Sequence, residues 1–311
     1  MPQSLIPGIL SNDTGSISRA ITLIENDLLL SNSFFSDLHG NSSQSIRIGI
    51  TGPPGAGKST LTNELIETIL SNNKTVGVIA VDPTSPFTGG ALLGDRVRMN
   101  KYIWDDRVFI RSMGSHGDLG GLARKAQEAG DVLAASGKDI ILFETVGVGQ
   151  GEHDVAKAAD LTIVILVPES GDEIQLMKAG LIEIADLFVI NKSDRDGANR
   201  ISSILKNILH NFTSRDKIEP LVFNTIASRG EGIVELFIGI QDHLKLMSDN
   251  GLLDDRRLIR YRSRVSDLVR ERLEKEFWTE EKISLLNKST ETLNSIKSAP
   301  VIMAKEMLAN Q

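Results

Sequence analysis

Two rhythms of hydrophobic positions run along this chain. Ile17, Ala20, Ile21, Ile24 and Leu28 recur at three- and four-residue steps, which predicts an amphipathic helix over 16–30. Residues 31–45 are rich in Ser and Asn and are expected to form a loop or weak helix. From Ile46 onward, short continuous apolar runs alternate with helical spacing. The runs predict strands at 46–51, 76–81, 107–111, 139–144, 161–167, 187–191 and 221–225, and the spacing predicts helices at 59–70, 121–135 and 201–211. Strands that are apolar throughout, not alternating, suit a sheet covered on both faces. The expected fold class is therefore α/β, a doubly wound, mostly parallel sheet.

The pattern changes after about residue 248. Leu258, Tyr261, Val265, Val269, Leu273 and Phe277 stand at three- and four-residue steps in a charged stretch, so 254–277 is expected to be one long helix with Asp254 or Asp255 as N-cap. Such a helix can lie on its own domain or serve as a self-association arm, and the pattern leaves both open. The expected organisation is an N-terminal helical extension (1–45), a nucleotide domain (46–248) and a C-terminal helical arm (249–311).

Composition narrows the class. The 311 residues are 41% hydrophobic and 24% charged, with a net charge of −7. An acidic chain without a basic run argues against nucleic acid as the main partner. The absence of cysteine excludes disulfides and thiolate metal sites. No apolar run reaches the roughly 18 residues that a membrane span needs, so no membrane association is expected. The polar N-terminus lacks the apolar region of a secretory signal, and a cytoplasmic protein is expected. The histidines are scattered without metal-ligand spacing.

Chemistry enters at Gly52-Pro53-Pro54-Gly55-Ala56-Gly57-Lys58-Ser59, which fits G-x-x-x-x-G-K-[ST] between an apolar strand and a helix. Glycines let the backbone curl so that successive N–H groups face phosphate oxygens, and the helix N-terminus adds positive partial charge. Gly52, Pro54, Gly55, Ala56, Gly57, Lys58, Ser59 and Thr60 are the expected nucleotide contacts. Lys58 is expected to reach the β- and γ-phosphates, and Ser59 to ligate Mg²⁺.

Asn191-Lys192-Ser193-Asp194 follows a later strand and fits N-K-x-D. A carboxylate such as Asp194 accepts from guanine N1–H and the 2-amino group, whereas adenine would leave it unpaired. GTP or GDP is thus the expected nucleotide. Asn191 is expected to tie this loop to the phosphate loop and Lys192 to cover the base. Thr225, Ile226 and Ala227 stand where a backbone amide would meet the guanine oxygen. Glu144 and Asp82 end buried strands, and Asp95 lies in a loop. With Ser59 they form the expected Mg²⁺ shell, and Gly147 would let its amide approach the γ-phosphate.

The segments Asp82-Pro83-Thr84-Ser85-Pro86-Phe87-Thr88-Gly89-Gly90, Leu93-Gly94-Asp95-Arg96-Val97-Arg98-Met99, Leu119-Gly120-Gly121-Leu122-Ala123, Glu144-Thr145-Val146-Gly147-Val148-Gly149-Gln150 and Gly171-Asp172-Glu173-Ile174-Gln175 are similar to those of the MeaB/ArgK family. The likeness runs from about Arg19 to the C-terminal helices. It implies a P-loop GTPase of the signal-recognition (SIMIBI-like) type. It also implies a G-protein chaperone that gates adenosylcobalamin loading and protects or reactivates an acyl-CoA mutase, chiefly methylmalonyl-CoA mutase. Members are homodimers through their C-terminal helices, which favours the arm reading of 254–277. An older family label, a kinase of amino-acid transport systems, is the runner-up. Ile226 departs from the family, where many relatives have Ser.

No glutamine directly follows Gly147, and Gln150 comes later. Slow intrinsic hydrolysis, stimulated by a partner, is therefore expected. The stretch 169–178 resembles the family's third switch. Lys178, taken as catalytic with Lys58, Asp82 and Glu144, joins Asp172, Glu173 and Gln175 as candidates for sensing nucleotide or mutase. An ATP-dependent kinase is disfavoured by Asp194, and a metal-insertion GTPase by the lack of Cys and of a His tract. Methylmalonyl-, isobutyryl- and ethylmalonyl-CoA mutases all remain compatible as clients.

Overall fold

A computed structural model describes residues 2–26, 30–42, 45–82, 100–102, 104–114, 121–145, 151–170, 180–212 and 218–309. Strands β1 (Ile46–Thr51), β2 (Val76–Asp82), β3 (Val108–Gly114), β4 (Ile140–Thr145), β5 (Leu161–Leu166), β6 (Leu187–Ile190) and β7 (Leu221–Asn224) form one seven-stranded sheet in the order β3-β2-β4-β1-β5-β6-β7. Every pairing is parallel, so the mostly parallel expectation is met throughout. Because all strands point one way, the loops that follow them share one edge. The order reverses about β1, where open α/β sheets place their ligands.

The helices are α1 (Ile6–Leu10), α2 (Thr14–Glu25), α3 (Asn32–Asn41), α4 (Lys58–Ser71), α5 (Gly121–Ala135), α6 (Gly151–Ala158), α7 (Leu181–Ile184), α8 (Ala198–Phe212), α9 (Ile233–Asp249), α10 (Leu252–Phe277), α11 (Glu280–Ser289) and α12 (Pro300–Ala309). Leu61, Leu65, Ile66 and Ile69 of α4 and Leu236, Phe237 and Ile240 of α9 bury one sheet face, against Ile48, Ile50, Leu142 and Ile163. On the other face Ile17, Ile21 and Ile24 of α2 join Ala129 and Leu133 of α5 over Ile79, Ile141 and Phe143. Leu205 and Leu209 of α8 pack near Phe188 and Ile190. Gly49 and Gly77 let helices settle directly on strands: a Cβ would stand 2.8 Å from Val155 Cγ1 at the first and 2.8 Å from Leu133 Cδ1 at the second.

Of the two alternatives left open for 31–45, the structure has the helix, and it adds α9 further on. The 31–45 stretch, expected as a loop or weak helix, contains α3 with Ser31 as N-cap. Phe34 and Leu38 are buried in the same core as α2, and that burial outweighs a polar local composition. The sequence reading also passed over α9, whose Ile233, Leu236, Phe237 and Ile240 carry helical spacing. The chain divides into two compact units, 1–257 and 258–311. The second unit is helical, with Phe277 edge-on to Trp278 at 5.1 Å.

At the sheet edge opposite the strand-end loops, Asp160 and Asp186 are buried and accept backbone N–H groups. Arg47 N donates to Asp160 Oδ2 at 2.9 Å and Thr162 N to Asp186 Oδ2 at 2.7 Å. Arg256 from the first turns of α10 grips Asp186 with both terminal nitrogens, at 2.5 and 2.8 Å, and also reaches Asp160 O at 2.8 Å. Arg257 Nε lies 3.4 Å from Asp160 Oδ1. His243 is buried nearby on α9, and burial pushes its pKa down. Removing one member leaves the others buried and uncompensated. Asp160→Ala should therefore lower unfolding stability by about 3 kcal/mol in urea titration.

Candidate functional site

The phosphate loop runs from the end of β1 into α4. Its glycines take φ values closed to side chains: +142° at Gly52, +73° at Gly55 and +89° at Gly57, which is the N-cap of α4. A Cβ at Gly52 would stand 2.1 Å from Ile165 O, and one at Gly57 2.4 Å from Asn191 Nδ2. Ala56 is buried beneath the loop, while Pro54 and Gly55 face outward. Lys58 is buried, with Nζ donating to Gly52 O at 2.8 Å and Pro53 O at 3.2 Å. Its ammonium is thus held inside the curl, where a bound phosphate would meet it. Ser59 and Thr60 are half-buried in the first turn of α4.

Ser59 Oγ donates to Glu144 Oε1 at 2.6 Å. Glu144 is 1% exposed on β4, the strand beside β1. A hydroxyl and a carboxylate in contact, both oxygen donors, suit a hard divalent cation. Asp82 closes β2 on the other side of β4, one position past the Val81–Thr145 pair. Asp95, Lys178, Asp172, Glu173, Gln175, Gly147 and Gln150 lie outside the described residues. Among the described residues no cluster of three His, Cys, Asp or Glu could hold a metal.

Asn191, 2% exposed at the end of β6, joins the two nucleotide loops. Its Nδ2 donates to Ala56 O at 2.8 Å, and its Oδ1 accepts from Thr225 Oγ1 at 3.1 Å and Ala227 N at 3.0 Å. Lys192 takes φ +56° and donates from Nζ to Gly55 O at 2.7 Å, lying across the phosphate loop. Ser193 N donates to Thr225 O at 3.0 Å, so the turn that carries Asp194 is bound to the end of β7. The Ile226 and Ala227 amides are both committed to protein acceptors, the former to Glu231 O at 3.0 Å. Asp194 itself is exposed, with Arg229 Nη2 at 3.5 Å from its Oδ2. Beside it Arg195 Nη1 donates to Glu169 Oε1 at 2.5 Å, which holds Glu169 below the usual carboxylate range. No motif marks Arg229 or Arg195, and although Glu169 opens the stretch that resembles the third switch, its pairing with Arg195 is not legible in the sequence.

The site unites the G-x-x-x-x-G-K-S loop, an acid beside its serine and the N-K-x-D turn. Residues 17–282 match the family model described as methylmalonyl-CoA mutase-associated GTPase MeaB. The chain belongs to the MeaB family. It is 43% identical over 270 residues to a GTPase of Pyrococcus horikoshii, covering 85% of this chain and 84% of that protein. It is 36% identical over 249 residues to the GTPase ArgK of Escherichia coli, covering 78% and 75%. To the mouse mitochondrial protein called methylmalonic aciduria type A homolog it is 38% identical over 237 residues, covering 75% of this chain and 57% of that one. Among solved structures it resembles a LAO/AO transport system kinase, with a TM-score of 0.74 at 24% identity over 99% of this chain and 96% of that one. That likeness shows the fold. As a member of a family of GTPases, the chain binds GTP and GDP and hydrolyses GTP. Among the described residues, no helix is long and apolar enough to cross a membrane.

Asn191→Ala removes three hydrogen bonds and leaves buried partners unmet. It should cost about 2–3 kcal/mol of stability by thermal unfolding. It should also weaken GDP binding at least about tenfold by calorimetry, since each 1.4 kcal/mol of lost loop support is a factor of ten.

Proposed function

We propose that this protein is a GTP-hydrolysing chaperone of an adenosylcobalamin-dependent acyl-CoA mutase, methylmalonyl-CoA mutase being the first candidate. In this reading it gates cofactor loading and protects or reactivates the mutase. The observation that carries the proposal is the match of the mutase-associated family model across 17–282, together with an intact phosphate loop and N-K-x-D turn. The name of the mouse relative points the same way.

The residues divide the work. Gly52, Gly55 and Gly57 shape the cradle, and Thr60 extends it along the first turn of α4. A γ-phosphate entering the curl gives Lys58 anionic acceptors in place of the loop carbonyls, a stronger charge-assisted bond. Ser59 and Glu144, with Asp82 and Asp95, would hold Mg²⁺, which neutralises charge on the β- and γ-phosphates. Asp194 reads the guanine edge, the Lys192 stem covers the base, and the turn of Thr225, Ile226 and Ala227 borders it. Lys178 and its neighbours act as nucleotide sensors. Hydrolysis is slow alone and rises when the mutase completes the site.

Self-association through the C-terminal helices fits this role. Leu258, Ile259, Tyr261, Val265, Val269 and Leu273 leave large apolar side chains exposed on α10, a surface a homodimer would cover. The domain bounds 1–45, 46–248 and 249–311 serve the same reading, as does placement in the cytoplasm. The kinase reading shares its name with the similarly folded LAO/AO transport system kinase and is disfavoured by Asp194.

GTP turnover measured with and without methylmalonyl-CoA mutase from the same cell tests the proposal. The expected outcome is a slow basal rate, about 10⁻³–10⁻² s⁻¹ by analogy with unassisted G proteins, that rises at least tenfold with mutase. A fast basal rate indifferent to mutase, or ATP competing equally with GTP, would overturn it.

A further inference from the structure

Asp194 has a protein partner that presents the same donor chemistry as a guanine base. The guanine edge that a carboxylate reads is N1–H, C2 and the 2-amino group, a guanidine fragment within a ring. An arginine side chain offers the same parallel N–H donors on a planar carbon. Arg229 Nη2 stands 3.5 Å from Asp194 Oδ2, and Nη1 stands 3.9 Å from Glu231 Oε1.

The turn that carries Arg229 is held from both ends. Ile226 N donates to Glu231 O at 3.0 Å and Glu231 N to Ile226 O at 3.3 Å, while Arg229 N donates to Ile226 O at 2.9 Å. Gly230 takes φ +70°, closing the turn, and Gly232 takes φ +78° where a Cβ would meet Asn224 O at 2.4 Å. The second arginine near Asp194, Arg195, is engaged elsewhere by Glu169. Arg229 is thus shared between the base-reading carboxylate and a second acid two residues along the same turn.

We infer that Arg229 is a specificity-tuning competitor that pairs with Asp194 in the place of the base and moves toward Glu231 when guanine nucleotide enters. The inference rests on the assignment of Asp194 as the guanine reader. It makes Arg229 a brake on nucleotide affinity, although a cation near a triphosphate site would ordinarily be taken as a ligand. The pair is exposed, with side-chain accessibilities of 58% for Arg229 and 37% for Asp194, so solvent screens it and the brake is mild.

The test measures affinity of the full chain for GDP and xanthosine diphosphate in four forms: unaltered, Arg229→Gln, Asp194→Asn and the double variant. Arg229→Gln should bind GDP roughly two- to fivefold tighter at low salt, the range expected from an exposed ion pair. The gap should narrow as sodium chloride is raised, because screening weakens the competitor in the unaltered chain. On the Asp194→Asn background, read with xanthosine diphosphate, Arg229→Gln should make no difference. GDP binding that is unchanged or weaker in Arg229→Gln overturns the inference while leaving the base reading intact. Failure of Asp194→Asn to shift preference from GDP to xanthosine diphosphate overturns the base reading, and the inference falls with it.

Discussion

The carboxamide of Asn191 is the group on which the nucleotide end of this molecule depends. It donates to the phosphate loop at Ala56 and accepts from both Thr225 and Ala227 on the loop after β7. No charge is involved, yet the side chain is buried and each of these bonds replaces one that water would otherwise make. Two loops that are far apart in sequence are thereby held at a fixed separation. In the proposed reading a nucleotide would span that separation, with its phosphates at Lys58 and its base at Asp194. Gly57 completes the fit, because any side chain there would collide with the same amide.

Charge is handled differently at the two edges of the sheet. At the strand-end loops Ser59 meets Glu144, and Lys58 rests on loop carbonyls, a set of groups that a phosphate and a hard cation can enter. At the opposite edge Asp160 and Asp186 are locked by backbone N–H groups and by Arg256 and Arg257. That second cluster binds α10 at its start to β5 and β6, the strands that carry Glu169 and Asn191 at their far ends. The first set places a single carboxylate beside a hydroxyl, whereas the second pairs two aspartates with two arginines.

Much of this was legible in the chain. Largely apolar runs at β1, β2, β4 and β5 announced buried parallel strands, because a strand covered on both faces has no polar side to show. The phosphate loop and the N-K-x-D turn were legible because backbone geometry and base chemistry admit few residue types there. Less visible was α3, where Phe34 and Leu38 bury themselves in a Ser- and Asn-rich stretch. Local composition disfavoured that helix, and only contact with the core over α5 decides it. The motifs grouped Ser59 and Glu144 around one cation, but the direct hydrogen bond between them belongs to the fold. Nothing in the order of residues says that Arg229 rather than Arg195 faces Asp194.

The sequence by itself determined the class of nucleotide, the direction of the sheet and the family, since glycine placement, hydrophobic period and a base-reading acceptor are local properties. The tertiary structure alone decided which polar groups meet. Folding brings together residues from separate strands and turns, and a hydrogen bond or ion pair depends on distances that periodicity does not encode. Hence the motif named Asp194 as a reader of guanine, while only the fold set a guanidinium beside it.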